Sequence, residues 1–234
     1  MKTAFITGAN KGIGYALAKI LGQHGVHVLL GVRNFSRGSQ AVATLQAAGV
    51  RAVDLVQIDM AAPTAIETAI GQICAEYGDL DLLINNVGTS GREVANRELT
   101  VADLQATLQV NFLGVYQLTR GLLPVITENQ GTIVNITMPT DANPIWNPLA
   151  YKSSKAALNV FTDSLAIDMK QGKLPVSVFG IHPGPTTTDL NDNADYPGFH
   201  QPDDVAAKIL PYLENGSQHA GEFVEIYPQI RGGE

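Results

Sequence analysis

Seven short runs of apolar residues alternate along this chain with longer segments of helical periodicity. The apolar runs predict β-strands at residues 3–7, 26–32, 52–58, 80–85, 132–136, 176–181 and 223–226. Helical patterns lie between them, at residues 14–23, 39–47, 63–77, 101–127, 150–170 and 202–213. Runs of Val, Ile and Leu without polar alternation are typical of strands buried on both faces, as in a parallel sheet. The alternation therefore predicts an α/β fold, a doubly wound, mostly parallel seven-stranded sheet with helices on both faces.

Length and charge limit the class of protein. The 234 residues suffice for one larger α/β domain, and because no repeat or linker divides them we predict a single domain at 1–234. The net charge of −7 disfavours nucleic-acid and anionic-membrane binding, since both need a basic patch. The single cysteine, Cys74, suits a reducing cytosol. No apolar run approaches a membrane span, and the N-terminus already reads as a strand rather than a signal peptide, so we expect a cytoplasmic protein.

A glycine-rich loop follows the first predicted strand directly, in the sequence Thr7-Gly-Ala-Asn-Lys-Gly-Ile-Gly14. Gly8, Gly12 and Gly14 permit a tight turn and a close approach of the backbone. The next helix then presents free N–H groups and the positive end of its dipole to a pyrophosphate. A glycine triplet alone is almost as consistent with a structural turn. Its position between a strand and a helix favours a dinucleotide site.

The residues after the second predicted strand bear on which dinucleotide binds. An NAD site places Asp or Glu there to bind the ribose 2′-OH, whereas this chain has Gly-Val-Arg-Asn at residues 31–34. Arg33 is suited to contact a 2′-phosphate, Lys11 is placed to reach the same group, and Arg37 is a weaker candidate. The alternative is an arginine that is simply solvated at a strand end. The sequence therefore predicts NADP(H) as the cofactor.

Tyr151 and Lys155 lie four residues apart in a helical segment, so their side chains share one face. An ammonium beside a phenol favours the phenolate, which lowers the pKa of the tyrosine from about 10 and makes it a candidate proton donor. The same spacing is common on solvated helix faces. The Tyr151–Lys155 pair therefore indicates an active site only in combination with other motifs of the chain.

Three further segments complete the pattern: Leu-Asp-Leu-Leu-Ile-Asn-Asn-Val-Gly at residues 80–88, Asn111 inside a helix, and His-Pro-Gly-Pro-Thr-Thr-Thr-Asp at residues 182–189. With the glycine loop and the Tyr151–Lys155 pair, their order and spacing resemble the classical short-chain dehydrogenase/reductase family over essentially the whole chain. Residues 10–12 and 32–38 look most like the NADPH-dependent carbonyl reductases. The resemblance implies a Rossmann-type fold and a homodimer or homotetramer formed through the helices near 101–127 and 150–170.

The resemblance also implies a role for each matching residue. Tyr151 would be the catalytic acid/base, Lys155 would lower its pKa and bind the nicotinamide ribose, and Asn111 would hold a water in the proton relay. Alternatively, Asn111 only bridges its helix to a strand, Asp59 only ends a strand, and Pro183-Gly184 is only a turn. The implied cofactor-binding set is Gly8, Asn10, Lys11, Gly12, Ile13, Gly14, Arg33, Asn34, Asp59, Met60, Asn86, Val87, Gly88, Tyr151, Lys155, Pro183, Gly184, Thr186 and Thr188.

One catalytic residue of the family is missing. The serine that hydrogen-bonds the substrate carbonyl normally lies 13 residues before the tyrosine, where this chain has Met138, and a thioether cannot donate a hydrogen bond. Thr137 has a hydroxyl, but adjacent strand residues face opposite ways, so it takes over only if a bulge before Pro139 re-aims it.

Three interpretations of this departure stay open. The chain is a weakened carbonyl reductase, or a reductase of an imine or activated C=C bond for which the donor matters less, or a non-catalytic NADP(H)-binding regulatory or interaction protein. The intact Tyr151, Lys155 and Asn111 speak against the third.

The predicted substrate pocket is apolar and aromatic, which favours a hydrophobic small-molecule substrate. Residues 186–201 form the least regular segment and are expected to act as a lid, with disorder as the alternative. Trp146 would line the pocket, although a core or interface anchor is equally consistent. The predicted lining residues are Met138, Ile145, Trp146, Pro185, Tyr196 and Phe199.

Overall fold

One parallel sheet forms the centre of the computed structural model, which describes residues 1–230. Residues 231–234 of the predicted domain lie outside the described residues. The strands are β1 (Thr3–Thr7), β2 (His27–Val32), β3 (Val53–Gln57), β4 (Leu80–Asn85), β5 (Thr132–Ile136), β6 (Ser177–His182) and β7 (Phe223–Glu225). Their order is β3-β2-β1-β4-β5-β6-β7, and each described strand pair is parallel. The predicted α/β sheet is confirmed, and its order of strands reverses between β1 and β4, where such folds bind ligands.

Seven helices cover the two faces of the sheet in the described part of the chain. They are α1 (Gly12–Gln23), α2 (Phe35–Ala47), α3 (Pro63–Glu76), α4 (Val101–Leu108), α5 (Gly114–Glu128), α6 (Leu149–Gly172) and α7 (Pro202–Glu214). Side chains of α1, α2 and α7 form one buried apolar cluster, and those of α3, α5 and α6 form the other. Each fully buried Leu or Ile in these clusters contributes about 1.5–3 kcal/mol to the free energy of folding, relative to an exposed side chain. Within residues 1–230, no helix has the length and apolar character that crossing a membrane requires.

Two helices differ from the sequence prediction by more than two residues. The segment predicted as one helix at 101–127 is divided by a π-helical turn at Gln109–Leu113. The helix predicted at 39–47 begins earlier, at Phe35, because the Asn34 side chain accepts a hydrogen bond from the Arg37 backbone N–H at 2.9 Å and caps it.

A network of buried amide and hydroxyl side chains runs from α5 through β4 and β5 to α6. The Asn85 amide donates to Thr119 Oγ1 at 3.0 Å and to Asn135 Oδ1 at 2.8 Å. The Asn135 amide in turn donates to Thr162 Oγ1 at 2.8 Å. Buried polar groups must be paired to avoid a desolvation cost, so this network fixes α6 in register against β4 and β5. That register decides where α6 presents Tyr151 and Lys155.

Candidate active site

The glycine loop has the geometry of a close backbone approach. Gly8 (φ +68°) and Gly12 (φ +57°) are in the left-handed region that favours glycine. A Cβ on Gly14 would lie 2.5 Å from Asn86 Nδ2 and 2.7 Å from the Gly8 carbonyl oxygen. Helix α1 starts at Gly12 without a side-chain cap, so its first N–H groups remain free to bind an anion. The loop therefore fits a dinucleotide pyrophosphate.

Thr7 joins this loop to the end of β4. Its hydroxyl accepts from the backbone N–H groups of Asn86 at 3.0 Å and Val87 at 3.1 Å. The Asn86 amide donates back to the Thr7 carbonyl at 2.9 Å. The structure thus brings the glycine loop and Asn86–Gly88 together at the point where the strand order reverses.

Lys11 makes a contact that the sequence did not predict. Its ammonium pairs with the Asp189 carboxylate, in the short helical turn Asp189–Asn191 after β6. The neighbouring Thr188 lies over the glycine loop, since a Cβ on Gly12 would be 3.4 Å from Thr188 Cγ2. The hydrogen bond from Lys11 lowers the pKa of Asp189 below its usual value. Lys11 therefore ties the glycine loop to the segment after β6, and its contact with a 2′-phosphate stays a prediction.

Arg33 is the unpaired cation at this end of the sheet. It is exposed directly after β2, and within residues 1–230 its guanidinium makes no ion pair or hydrogen bond, although its carbonyl accepts from Gln57 Nε2 at 3.3 Å. Asp59 accepts from the Ala61 backbone N–H at 2.9 Å and shapes the turn after β3. The side chain of Met60 is 3% exposed and packs in the apolar core, and its predicted contact with the cofactor stays a prediction.

Tyr151 and Lys155 lie in the first turns of α6 and are both buried. Lys155 Nζ is 5.6 Å from the centre of the Tyr151 ring and donates to the Ile136 carbonyl at 2.8 Å. The Tyr151 hydroxyl has no hydrogen-bond partner among the described residues, which leaves it free for a ligand. Gly88 borders the pair, since a Cβ there would be 3.9 Å from Lys155 Nζ.

The pKa of Tyr151 moves in the direction opposite to the sequence prediction. Burial raises the pKa of the phenol above its ordinary value and lowers the pKa of the Lys155 ammonium to about 8. Removal from water disfavours the charged form of each group, and this outweighs their attraction at the observed separation. Lys155 nevertheless stays mostly protonated at neutral pH.

Asn111 lies in the π-helical turn between α4 and α5. Its amide nitrogen donates to the Thr89 carbonyl and to Ser154 Oγ, both at 2.9 Å, and its amide oxygen accepts from the Thr89 backbone N–H at 2.9 Å. Ser154 in turn donates to the Tyr151 carbonyl at 2.7 Å. The side chain of Asn111 is therefore a bridge that ties the segment after β4 to the turn of α6 that carries Tyr151.

Thr137 does not replace the missing serine. It is buried, and its hydroxyl donates to Asn159 Oδ1 at 2.5 Å, while its backbone N–H continues the sheet ladder to the Ile181 carbonyl at 2.8 Å. No bulge turns this residue towards Tyr151. The Asn159 amide donates to the Met138 carbonyl at 3.1 Å and fixes the backbone there. The catalytic role proposed for Thr137 is therefore wrong on geometric grounds.

Trp146, one of the predicted lining residues, contacts Tyr151. The Trp146 ring is 5.2 Å from the Tyr151 ring, and on the predicted lid the rings of Tyr196 and Phe199 meet edge-to-face at 5.8 Å. The lid closes on itself through a bridge between Thr186 and His200. Ile145 is 57% exposed and Tyr196 is 67% exposed. Met138 is buried, and the Pro185 carbonyl accepts from the His200 backbone N–H at 3.0 Å.

Sequence reasoning missed the side chains that hold the loop before α6. Buried Lys152, next to Tyr151, donates to the Asp141 carbonyl and to Asn147 Oδ1 at 3.0 Å. The Asn143 amide donates to Gln229 Oε1 at 3.3 Å, and Gln229 Nε2 donates to the Pro139 carbonyl at 2.9 Å. Because Lys152 is adjacent to Tyr151 in the sequence, the sequence alone could have marked it as a candidate. No local signal could have found the contacts of Gln229, because Asn143 and Pro139 lie far from it in the chain.

His182, the last residue of β6, predicts a pH dependence of stability. Burial lowers its pKa to about 4, and its Nε2 atom has no partner among residues 1–230. Between pH 6.5 and 4 the unfolded chain binds a proton that the folded chain does not, so stability is lost as the pH falls. The loss amounts to about 3 kcal/mol, since each pKa unit corresponds to about 1.4 kcal/mol. The free energy of unfolding, measured with urea at several pH values, should fall less steeply between pH 6.5 and 4 for His182→Asn than for the natural chain. An equally steep fall in both chains would contradict the role of His182.

Comparisons with known proteins agree with this geometry. A family model described as short chain dehydrogenase matches residues 2–196. The chain belongs to the short-chain dehydrogenase family. This membership makes it a relative of dehydrogenases and reductases and supports an oxidoreductase.

Two solved structures resemble this short-chain dehydrogenase over almost their full length. An alcohol dehydrogenase from the archaeon Thermococcus sibiricus, complexed with 5-hydroxy-NADP, has a TM-score of 0.87 and 26% identity and covers 100% of this chain and 99% of its own. The L-sorbose reductase from Gluconobacter frateurii, complexed with NADPH and L-sorbose, has a TM-score of 0.84 and 26% identity, with 99% and 95% covered. The human 17-beta-hydroxysteroid dehydrogenase type 2 is 29% identical over 83% of this chain, but the match spans only 50% of the human protein.

Proposed function

We propose that this chain is an NADPH-dependent reductase that converts a hydrophobic ketone or aldehyde to an alcohol. The observation that carries the proposal is the Tyr151 hydroxyl, unpartnered within the described residues and next to Lys155. A nicotinamide cofactor held by the glycine loop would supply the hydride that the carbonyl carbon accepts. Tyr151 donates its phenolic proton to the carbonyl oxygen, and the Lys155 ammonium stabilises the phenolate that remains. The tyrosine then recovers a proton from solvent.

Arg33 supports the preference for NADPH over NADH. A charge-assisted hydrogen bond to the 2′-phosphate contributes about 1.5–3 kcal/mol, so Arg33→Ala should weaken NADPH binding about 10- to 100-fold and leave NADH binding unchanged. Dissociation constants for both cofactors, measured by isothermal titration calorimetry, check this. Arg37→Ala removes the weaker candidate for the same phosphate and should have a smaller effect. Equal affinities of the natural chain for NADH and NADPH would refute the preference.

A second acceptor class has one observation in its favour. Met138 offers no hydrogen bond and the Thr137 hydroxyl is engaged by Asn159, which suits an imine or an activated C=C bond better than a carbonyl that develops negative charge on oxygen. NADPH oxidation by the natural chain, measured with a panel of ketones, imines and enones, separates the candidates. Turnover of ketones supports the proposal, and turnover restricted to imines or enones supports the second class. Tight NADPH binding without any turnover would indicate a non-catalytic role and overturn both.

The cellular setting remains part of the proposal. We propose a cytoplasmic protein, on the grounds of its single cysteine, Cys74. We propose that it acts on a small molecule rather than on nucleic acid or a membrane, on the grounds of its negative net charge. We further propose a homodimer or homotetramer. Exposed apolar side chains on α5 and α6 support this, because such residues are enriched where proteins associate. They are Tyr116, Val160 and Ile167, which are 44%, 66% and 54% exposed.

A further inference from the structure

The carboxylate of Asp189 binds a cation of the glycine loop. Asp189 opens the short helical turn on the predicted lid, and its carboxylate pairs with the Lys11 ammonium. The two residues lie 178 positions apart in the chain, and the side chain of each is 51% exposed. The pair therefore joins the predicted lid, residues 186–201, to the loop that fits the pyrophosphate.

A second cation acts on the same carboxylate. The pKa of Asp189 lies below its usual value, mainly because of the hydrogen bond from Lys11 and further because of a hydrogen bond from the Asn193 side chain and the positive charge of Arg37. Arg37 lies in the first turn of α2, the helix that follows β2. Lys11 and Arg37 are two of the three cations that the sequence analysis assigns to the 2′-phosphate of NADP(H). The structure thus presents a carboxylate of the chain itself to cations that this phosphate needs.

The turn that carries Asp189 is fixed by bonds that do not involve its carboxylate. The Thr188 backbone N–H donates to Asn191 Oδ1 at 3.0 Å, and the Thr188 side chain accepts from the Asn191 backbone N–H. The Asn191 amide also donates to the Thr186 carbonyl at 2.9 Å. A group held in place in this way loses little conformational freedom when it pairs, so it competes well with a ligand. Removing only the charge of Asp189 should also leave the turn intact.

The Lys11 ammonium cannot serve a carboxylate and a phosphate equally well at the same time. Both anions carry full negative charge, and like charges brought onto one ammonium repel each other. The Lys11–Asp189 pair must therefore weaken when a 2′-phosphate binds Lys11. An ion pair as exposed as this one corresponds to about 2- to 5-fold in an equilibrium constant.

We propose that Asp189 is a cofactor-specificity residue, whose carboxylate competes with the 2′-phosphate of NADPH for Lys11 and so reduces the preference for NADPH over NADH. This inference rests on the proposed use of NADPH and adds a residue that opposes it. NADH has no 2′-phosphate and leaves the Lys11–Asp189 pair in place. The strength of that pair therefore enters the affinity for one cofactor and not for the other.

The test compares adenosine 2′,5′-bisphosphate with adenosine 5′-monophosphate, which differ only in the 2′-phosphate and undergo no hydride transfer. Calorimetry gives both dissociation constants, and their ratio, monophosphate over bisphosphate, measures the contribution of the 2′-phosphate. We expect Asp189→Asn to raise this ratio about 2- to 5-fold. Asp192→Asn is the matched control, because it removes the same charge from an exposed position of the same segment. At an ionic strength of about 0.15 M, which screens charges more than about 8 Å apart, it should change the ratio less.

Lys11→Met separates competition for the ammonium from direct repulsion between the carboxylate and the phosphate. In a Lys11→Met chain the two anions have no ammonium to share, so adding Asp189→Asn should leave the ratio as it is. A gain from Asp189→Asn that persists in the Lys11→Met chain would show direct repulsion and overturn the inference.

The outcomes also separate this inference from the proposed preference for NADPH. If the natural chain binds the bisphosphate more tightly and Asp189→Asn leaves the ratio unchanged or lowers it, the inference is wrong and the preference stands. If the natural chain binds both compounds equally and only Asp189→Asn favours the bisphosphate, the preference is refuted and the inference is supported. Equal binding of both compounds in both chains overturns both proposals.

Discussion

Tyr151→Phe should lower kcat for ketone reduction about 10³-fold, within the 10²–10⁴ that a positioned acid–base group provides. Phenylalanine keeps the ring that packs against Trp146 but has no proton to give to the carbonyl oxygen. The affinity for NADPH should fall far less than kcat, since the Gly8–Gly14 loop and Arg33 lie outside α6. The loss of NADPH absorbance with time gives the rate, and calorimetry gives the affinity.

A matched control for this variant is Tyr212→Phe on α7. Tyr212 is also a helical tyrosine in contact with an aromatic ring, that of His219 at 5.0 Å, but it packs against the apolar cluster of α1, α2 and α7, which the proposed chemistry does not use. It should keep the full rate. Undiminished turnover in Tyr151→Phe would show that another group protonates the product, and the proposed mechanism would then be wrong.

The layout of the fold was predictable because its signals are local. Each strand is a run of apolar residues, and each helix has its own periodicity, so the parallel sheet follows from the pattern alone. The division of 101–127 was not predictable. Apolar spacing continues through both helices, and what supports the π-helical turn is the bonding of Asn111 to Thr89 and Ser154, which only the folded chain brings together.

Some features of the candidate site were likewise predictable from the sequence, and others were not. Tyr151 and Lys155 are neighbours by helical spacing alone, and the inward direction of Thr137 followed from strand alternation. The Lys11–Asp189 pair joins residues 178 positions apart and left no trace in either local sequence. The pKa of Tyr151 was predicted with the wrong sign because the sequence shows the adjacent ammonium but not the depth of burial.

Met138→Ser should raise kcat for ketones about 10²-fold, because one preorganised donor to a developing oxyanion is typically worth 10²–10³ in turnover. The hydroxyl of the neighbouring Thr137 is engaged by Asn159, so it does not supply the hydrogen bond that is missing at position 138. The hydrogen bond from the Asn159 amide fixes the Met138 backbone, so a serine there would start from the same backbone position. Steady-state kinetics with a ketone, an imine and an enone, at saturating NADPH, measure the effect.

Met138→Ala separates the donor from the space that the methionine occupies. Both variants remove the thioether chain, but only serine adds a hydroxyl, so a gain confined to Met138→Ser for ketones identifies the missing hydrogen bond as the limit on turnover. Equal gains in the two variants would instead show that the buried methionine obstructs the pocket. If the natural chain reduces imines or enones quickly and neither variant gains on ketones, the methionine belongs to a site built for a different acceptor, and the carbonyl assignment falls while the roles of Tyr151 and Lys155 stand.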